Sequence, residues 1–259
     1  MAFAWIRRRS SRRSSPSKRC ERSRRWVLAA ALLLAGGPAA AIPPSFTARY
    51  EVSHSGLTLG EATVRYQQIG ADRYRYSSVT RPVGITTMFY NAQIEELSEG
   101  RITSDGFKPE RYEYDRTGSR AREASLVFDW QALKVRNDVE GKSWDMKIPA
   151  DALDRMVSQL QLMRDLAESE QNLTYRVADG GKLRVFVLQV LGRERIDTPY
   201  GRLETVKIIR KVDTNRRSTV FWCAPALHYM PVRIDHREKG ENFRMTLANL
   251  TGFKLPDSG

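Results

Sequence analysis

From Phe46 onward the chain alternates. Phe46, Ala48, Tyr50 and Val52 are separated by polar neighbours, as are Val64 and Tyr66, and then Ala124, Leu126, Phe128 and Trp130. Successive side chains of a strand point to opposite faces, so each run predicts a strand with one buried face. Between the runs lie turn-forming groups: His54-Ser55-Gly56, Gly70-Ala71-Asp72, Ser104-Asp105-Gly106, Thr117-Gly118-Ser119, Asn137 to Gly141, Asp179-Gly180-Gly181, Asp213-Thr214-Asn215 and Lys239-Gly240-Glu241. Their spacing, about 10 to 15 residues, is that of antiparallel hairpins. Further strands are predicted over 183–191, 203–212, 219–222, 229–236 and 242–250.

One stretch departs from the period of two. Within 151–168, Leu153, Met156, Val157, Leu160, Met163 and Leu166 recur at helical spacing, and Asp151, following Pro149, is a suitable N-cap. A lone amphipathic helix must bury its stripe, and the apolar surface on offer is a sheet face. The expected fold is therefore mainly β: a curved antiparallel sheet or half-open β-barrel with one amphipathic α-helix packed on it. Two β-subdomains joined by the helix are the alternative. No linker rich in Pro, Ser or Gly interrupts 42–259, which favours a single β-rich domain.

Charge changes the picture at the N-terminus. The 259 residues carry 43 Lys and Arg against 30 Asp and Glu, a formal charge of +13. Ten of the basic residues and one acid, Glu21, fall within 1–25, so nine of the thirteen charges belong to that segment. The uncharged run WVLAAALLLAGG follows from Trp26, and small residues follow at Ala39, Ala40 and Ala41. Twelve residues are short for a bilayer of about 30 Å, so 1–41 reads as a signal peptide cleaved after Ala41. An uncleaved inner-membrane anchor is the alternative. Ser23-Arg24-Arg25-Trp26-Val27-Leu28 partly resembles a twin-arginine export signal.

The remaining +4 does not mark a nucleic-acid binder, and none is expected as partner. The expected partners are the export machinery, through the signal peptide, and a lipid or other component of the cell envelope. Cleavage would remove Cys20 and leave Cys223 as the sole thiol, which excludes an intramolecular disulfide in an oxidising periplasm.

Signatures of chemistry are sparse. His54, His228 and His236 lack the spacing of zinc ligands, so no metal site is expected. Cys223 and His228, in WCAPALHYMP, have the residue types of a thiolate and base, but no nucleophile elbow or orienting acid accompanies them. There is no G-x-S-x-G, P-loop or dinucleotide fingerprint, hence no expected catalytic residue or cofactor. Glu95-Glu96 is expected in a solvated strand, and RYEYDRTGSRARE, from Arg111, as cross-strand ion pairs on an exposed face. The apolar supply either fills the core or lines a ligand pocket. For a pocket the candidates are Trp130, Met156, Leu160, Met163, Trp222 and Phe243, with the helix as plug or lid.

Four segments in order, FTARYEVSHSGLTLGEATVRY, DALDRMVSQLQLMRDL, TPYGRLETVKIIRK and FWCAPALHYMPVRIDHREKGENFRMTLANL, resemble the family called domain of unknown function 3108. Asp151, Leu153 and Ser158, the stretch from Gly201 to Val206, and Trp222 followed by Pro231-Val232-Arg233-Ile234 carry the resemblance best. It implies an exported, periplasmic, β-rich protein of Gram-negative bacteria with no assigned activity and no catalytic residues to carry over. By analogy of fold alone, the expected architecture resembles the half-barrel with a helical lid of periplasmic lipoprotein carriers. The expected function is non-enzymatic: binding a hydrophobic or amphipathic envelope ligand, or acting in envelope assembly. An envelope hydrolase acting on glycan or ester, and a structural interaction module, are the alternatives.

Overall fold

A computed structural model of the chain describes residues 42–84, 87, 91–211 and 217–253. The expected signal peptide over 1–41 and the expected turn Asp213-Thr214-Asn215 lie outside the described residues.

The first eight strands follow one another as hairpins: β1 (Phe46–His54), β2 (Leu57–Ile69), β3 (Arg73–Pro82), β4 (Ile94–Thr103), β5 (Gly106–Arg116), β6 (Arg122–Asp129), β7 (Lys134–Val139) and β8 (Lys142–Lys147). The chain then forms a two-residue strand, β9 (Leu153–Asp154), and the α-helix α1 (Val157–Glu168). Six strands complete it: β10 (Leu173–Asp179), β11 (Lys182–Thr198), β12 (Gly201–Lys211), β13 (Arg217–Ala224), β14 (Met230–Glu238) and β15 (Glu241–Thr251). In space the order runs from β8 back to β1, then from β15 back to β9. The first and last strands therefore pair in the middle of the sheet, from Thr47 opposite Thr251 to His54 opposite Phe243. Every pairing is antiparallel except that of β9 with β10.

The sheet is open. Its edges are β8 and β9, no ladder joins them, and it is neither closed into a barrel nor strongly curled. The expected curved sheet or half-open barrel is thus corrected to an open sheet of fifteen strands among the described residues. The physical reason is that alternation and turn spacing specify which neighbours pair, whereas closure depends on strand tilt and stagger. The hairpins themselves follow the local chemistry. Gly180 and Gly181, both at positive φ (58° and 76°), make the two-residue turn between β10 and β11. The ring of Trp144 lies against Gly181, where a Cβ would stand 2.1 Å from it.

One face carries the core and the helix. Tyr50, Ala62, Tyr66, Tyr74, Leu126, Val135, Val206, Ile208 and Leu247 are buried there, and α1 adds Val157, Leu160, Met163 and Leu166. Each fully buried aliphatic side chain contributes about 1.5–3 kcal/mol, enough for four of them to dock a twelve-residue helix that would be marginal alone.

The helix starts six residues beyond Asp151. Asp151 lies on the surface, paired with Arg176, and Asp154 provides the cap. Its Oδ1 accepts the backbone N–H groups of Met156 and Val157, each at 2.8 Å. Both carboxylates precede Met156 and Val157, but the pairing of Leu153 and Asp154 with β10 keeps the chain extended until Asp154. Polar contacts then fix the helix sideways. Gln161 Oε1 accepts the Phe107 N–H at 3.0 Å, Arg164 donates to the Ser104 carbonyl at 2.8 Å, and Tyr175 donates to Asp165 at 2.8 Å.

Candidate functional site

Register decides which side chains share a face. Arg210 on β12, Thr219 on β13, His236 on β14 and Phe243 on β15 stand opposite one another in a single row. Two residues along, the next row contains the core residues Ile208 and Phe221, so both rows belong to the helix-bearing face. The helix covers this face around the turn between β4 and β5. Beyond the helix the face becomes polar.

Arg155, in the turn between β9 and α1, marks the border. It pairs with Glu96 at 3.1 Å, and Glu96 also accepts the Tyr112 hydroxyl proton at 2.7 Å. The guanidinium lies 5.7 Å from the centre of the Tyr114 ring. Its side chain is 44% accessible beside the partly buried Glu96, so the pair stands at the edge of a partly open polar recess. Glu96, 13% exposed, points the same way, so a solvated strand position describes Glu95 alone. The stretch from Arg111 divides likewise. Arg111 and Glu113 pair with each other on the far face, whereas Tyr112 and Tyr114 alternate into this one.

Across the recess, Arg184 pairs with Asp179 at 3.3 Å and Arg217 with Glu238 at 3.9 Å. Arg210 has no carboxylate partner among the described residues. It donates to Thr219 Oγ1 at 3.1 Å and lies 4.4 Å over the Phe186 ring, and its Nε is buried without a partner. Thr219 Oγ1 is 2.9 Å from His236 Nδ1. The threonine hydroxyl accepts from Arg210 and can either donate to Nδ1 or accept from it, while Nε2 lies 3.6 Å from Glu238. Burial first, then the like charges of Arg217, Arg155 and Arg184 against the opposing Asp179, pulls Arg210 down to about 10. Burial and Arg217 also lower His236.

Every buried side-chain nitrogen or oxygen without a partner among the described residues sits on this face: Tyr66 Oη, Arg116 Nε, Asn137 Oδ1, Arg210 Nε and Arg217 Nε. Apolar groups accompany them. Phe186, Ile234 and Met245 are half-buried, and Phe243 is 42% exposed, its ring 4.7 Å from that of His54, which pairs with Glu241.

The six residues expected to line a pocket are distributed as follows. Met156, Leu160 and Met163 come together, buried in the core beside the helix. Trp222 is buried between Lys207 (5.1 Å) and Arg233 (4.4 Å), and its Nε1 donates to Glu194. Trp130 stacks on Phe128, donates to the Pro109 carbonyl at 2.8 Å, and flanks an open depression of about 370 Å³ with Arg101, Lys108, Glu110 and Gln131. Phe243 alone of the six stands on the polar half of the helix-bearing face. Sequence reasoning missed Arg210 and Arg217, since a polar residue in an alternating run looks solvent-facing; Arg155 falls in the expected helical stretch, and His236 enters only as a rejected zinc ligand. The available signal was parity: Arg210 follows Ile208 by two and must share its side.

The thiolate and base pair is absent. Cys223 is fully buried, burial pushes its thiol well up, and no hydrogen bond joins it to His228, whose ring meets Phe253 edge-on at 4.9 Å. Among the described residues, no group of three His, Cys, Asp or Glu could hold a metal ion. Among the same residues, no helix is long and apolar enough to cross a membrane.

The fold and the recess define an open antiparallel β-sheet protein with one docked helix and a partly polar helix-bearing face. The chain belongs to the DUF3108 family of proteins of unknown function, whose model matches residues 47–248. No curated protein matches the chain. Among solved structures, it is similar to a beta-barrel-like protein of the domain of unknown function DUF1849 from Brucella abortus, at 11% identity and a TM-score of 0.54, over 84% of this chain and 100% of that one. That likeness concerns the fold alone. A lipoprotein candidate from Parabacteroides distasonis aligns at 9% identity and a TM-score of 0.33, over 81% of this chain and 95% of that one.

Proposed function

We propose that this chain is an exported, non-enzymatic protein of the Gram-negative periplasm that binds an amphipathic envelope molecule on the polar half of its helix-bearing face. One observation carries the reading. Beyond α1, accessible apolar side chains (Phe186, Ile234, Met245 and Phe243) share a face with arginines whose Nε atoms are buried without a protein acceptor among the described residues. A finished core would pair its cations and bury its aromatics. A face that does neither fits a ligand with an apolar part and a polar part. The basic segment, apolar run and small residues of 1–41 support the periplasmic location.

Native mass spectrometry of the chain purified from the envelope of cells that export it tests the proposal. The expected result is a retained amphiphile, lost in Phe243→Asp and unaffected by Trp130→Phe in the distant depression. Protein that emerges ligand-free and takes up no amphiphile on incubation would overturn it.

A further inference from the structure

We infer that Arg210, with Arg217 and His236 beside it, forms an anion subsite for a singly charged phosphate group, so that the ligand is an anionic phosphodiester amphiphile. This rests on the reading above and gives its ligand a charge and a headgroup.

The charge inventory points there first. Around the recess, Arg155 is matched by Glu96, Arg184 by Asp179 and Arg217 by Glu238. Among the described residues there, Arg210 and Arg116 have no carboxylate partner, and of the two, both half-buried, Arg210 is the cation that stands beside Arg217. A desolvated cation beside like charges opposes folding, and one anion placed against it would offset that cost. A phosphodiester carries one negative charge.

Donor geometry points the same way. A guanidinium has five N–H donors in a planar fork suited to the oxygens of phosphate. Arg210 uses one terminal N–H toward Thr219, so its remaining terminal nitrogen is the donor an anion can reach, the Nε atoms of Arg210 and Arg217 being buried. The Phe186 ring braces the Arg210 fork from one side, and His236, hydrogen-bonded through Nδ1 to the same threonine oxygen, stands next in the row. Ile234, Met245 and Phe243 continue along the same face and would take the apolar part of the ligand. A zwitterionic headgroup such as phosphocholine would bring a second cation toward Arg217 and Arg184, which disfavours it.

The test is calorimetric titration of the purified chain, freed of amphiphile, with short-chain phosphatidylglycerol below its micelle concentration, short-chain phosphatidylcholine, and inorganic phosphate. Phosphatidylglycerol is expected to bind at least about tenfold more tightly than the other two. Arg210→Met should weaken it by about tenfold or more, with Arg210→Lys intermediate. Arg217→Gln, where the native side chain is 40% exposed, provides the same readout if Arg210→Met does not fold. Equal affinity for inorganic phosphate would assign the site to the free ion and overturn the lipid assignment. Equal binding of the two lipids, or phosphatidylglycerol binding untouched by both arginine variants, would overturn the subsite. If that untouched binding is still lost in Phe243→Asp, the amphiphile reading stands without it. Failure of the wild-type chain to bind any lipid would overturn both.

Discussion

Ser98 of β4 donates its hydroxyl proton to Asp154 of β9 across 2.5 Å, both residues being fully buried. The Tyr74 hydroxyl lies 3.0 Å from the same serine oxygen, and the other Asp154 oxygen caps α1. One carboxyl group thus ties the start of the helix to the far arm of the sheet. Asp154→Ala removes the cap and orphans a buried hydroxyl and two N–H groups, an expected loss of about 2–4 kcal/mol. Urea unfolding with an unchanged denaturant slope measures it, and Asp154→Asn, which can still accept, should lose less.

The same carboxyl makes stability depend on pH. Burial raises Asp154 from 3.8 to about 7, against the lowering effect of its bonds from Ser98, Val157 and Met156. The folded chain therefore keeps this proton to a higher pH than the unfolded chain. Its contribution is complete below pH 3.8 and is lost as pH rises through 7, a decline of up to about 4 kcal/mol. Denaturation midpoints taken every half unit across this window should fall in the wild type, and the difference between wild type and Asp154→Asn should isolate the effect. Parallel curves would refute it.

Gly106 opens β5 at φ +120°, and a Cβ there would meet Gln161 Oε1 at 2.2 Å. Gln161 cannot retreat without giving up the Phe107 N–H and Asp165. Gly106→Ala is expected to cost about 1–3 kcal/mol through backbone strain and the displaced glutamine. Hydrogen exchange of the Phe107 amide should accelerate with it, while Gly70→Ala, a surface turn with open space around it, leaves that amide protected.

Without ligand, Arg210 is a burden on the fold. Arg210→Met retains contact with Phe186 and removes a half-buried cation from the neighbourhood of Arg217, so the ligand-free variant is expected to be more stable by about 1 kcal/mol. Thermal unfolding at low ionic strength measures the change, and a marked loss of stability would show that the arginine serves the fold.

Cys223 is expected to resist a thiol reagent such as dithionitrobenzoate in the native state, because burial both shields it and disfavours the thiolate. Reaction should follow the kinetics of unfolding in denaturant. Prompt modification of the folded protein would contradict the buried placement.

The hairpins were readable because period-two patterns and turn residues act locally. Phe46, Ala48 and Tyr50 announce β1, and the Gly-containing turns fall within a residue of where the sequence puts them, apart from Asn137, Asp138 and Val139, which belong to β7. The helix face was readable for the same reason. Its start was not, since Asp151 and Asp154 are equivalent caps until the pairing of β9 with β10 distinguishes them. The openness of the sheet depends on long-range geometry that no single run encodes. The polar recess escaped notice because Glu96 and Arg155, 59 positions apart, meet only in the folded chain.

The pairing of β1 with β15 also imposes an order on biosynthesis. Each arm of the sheet is a run of neighbouring hairpins that can form as its own residues emerge, but the central seam joins the start of the domain to its last strand. A chain made from its N-terminus must wait for Glu241–Thr251 before Phe46–His54 gains its second neighbour. Until then the nascent protein consists of two unsealed halves, a condition that exposes chains truncated before Glu241 to degradation.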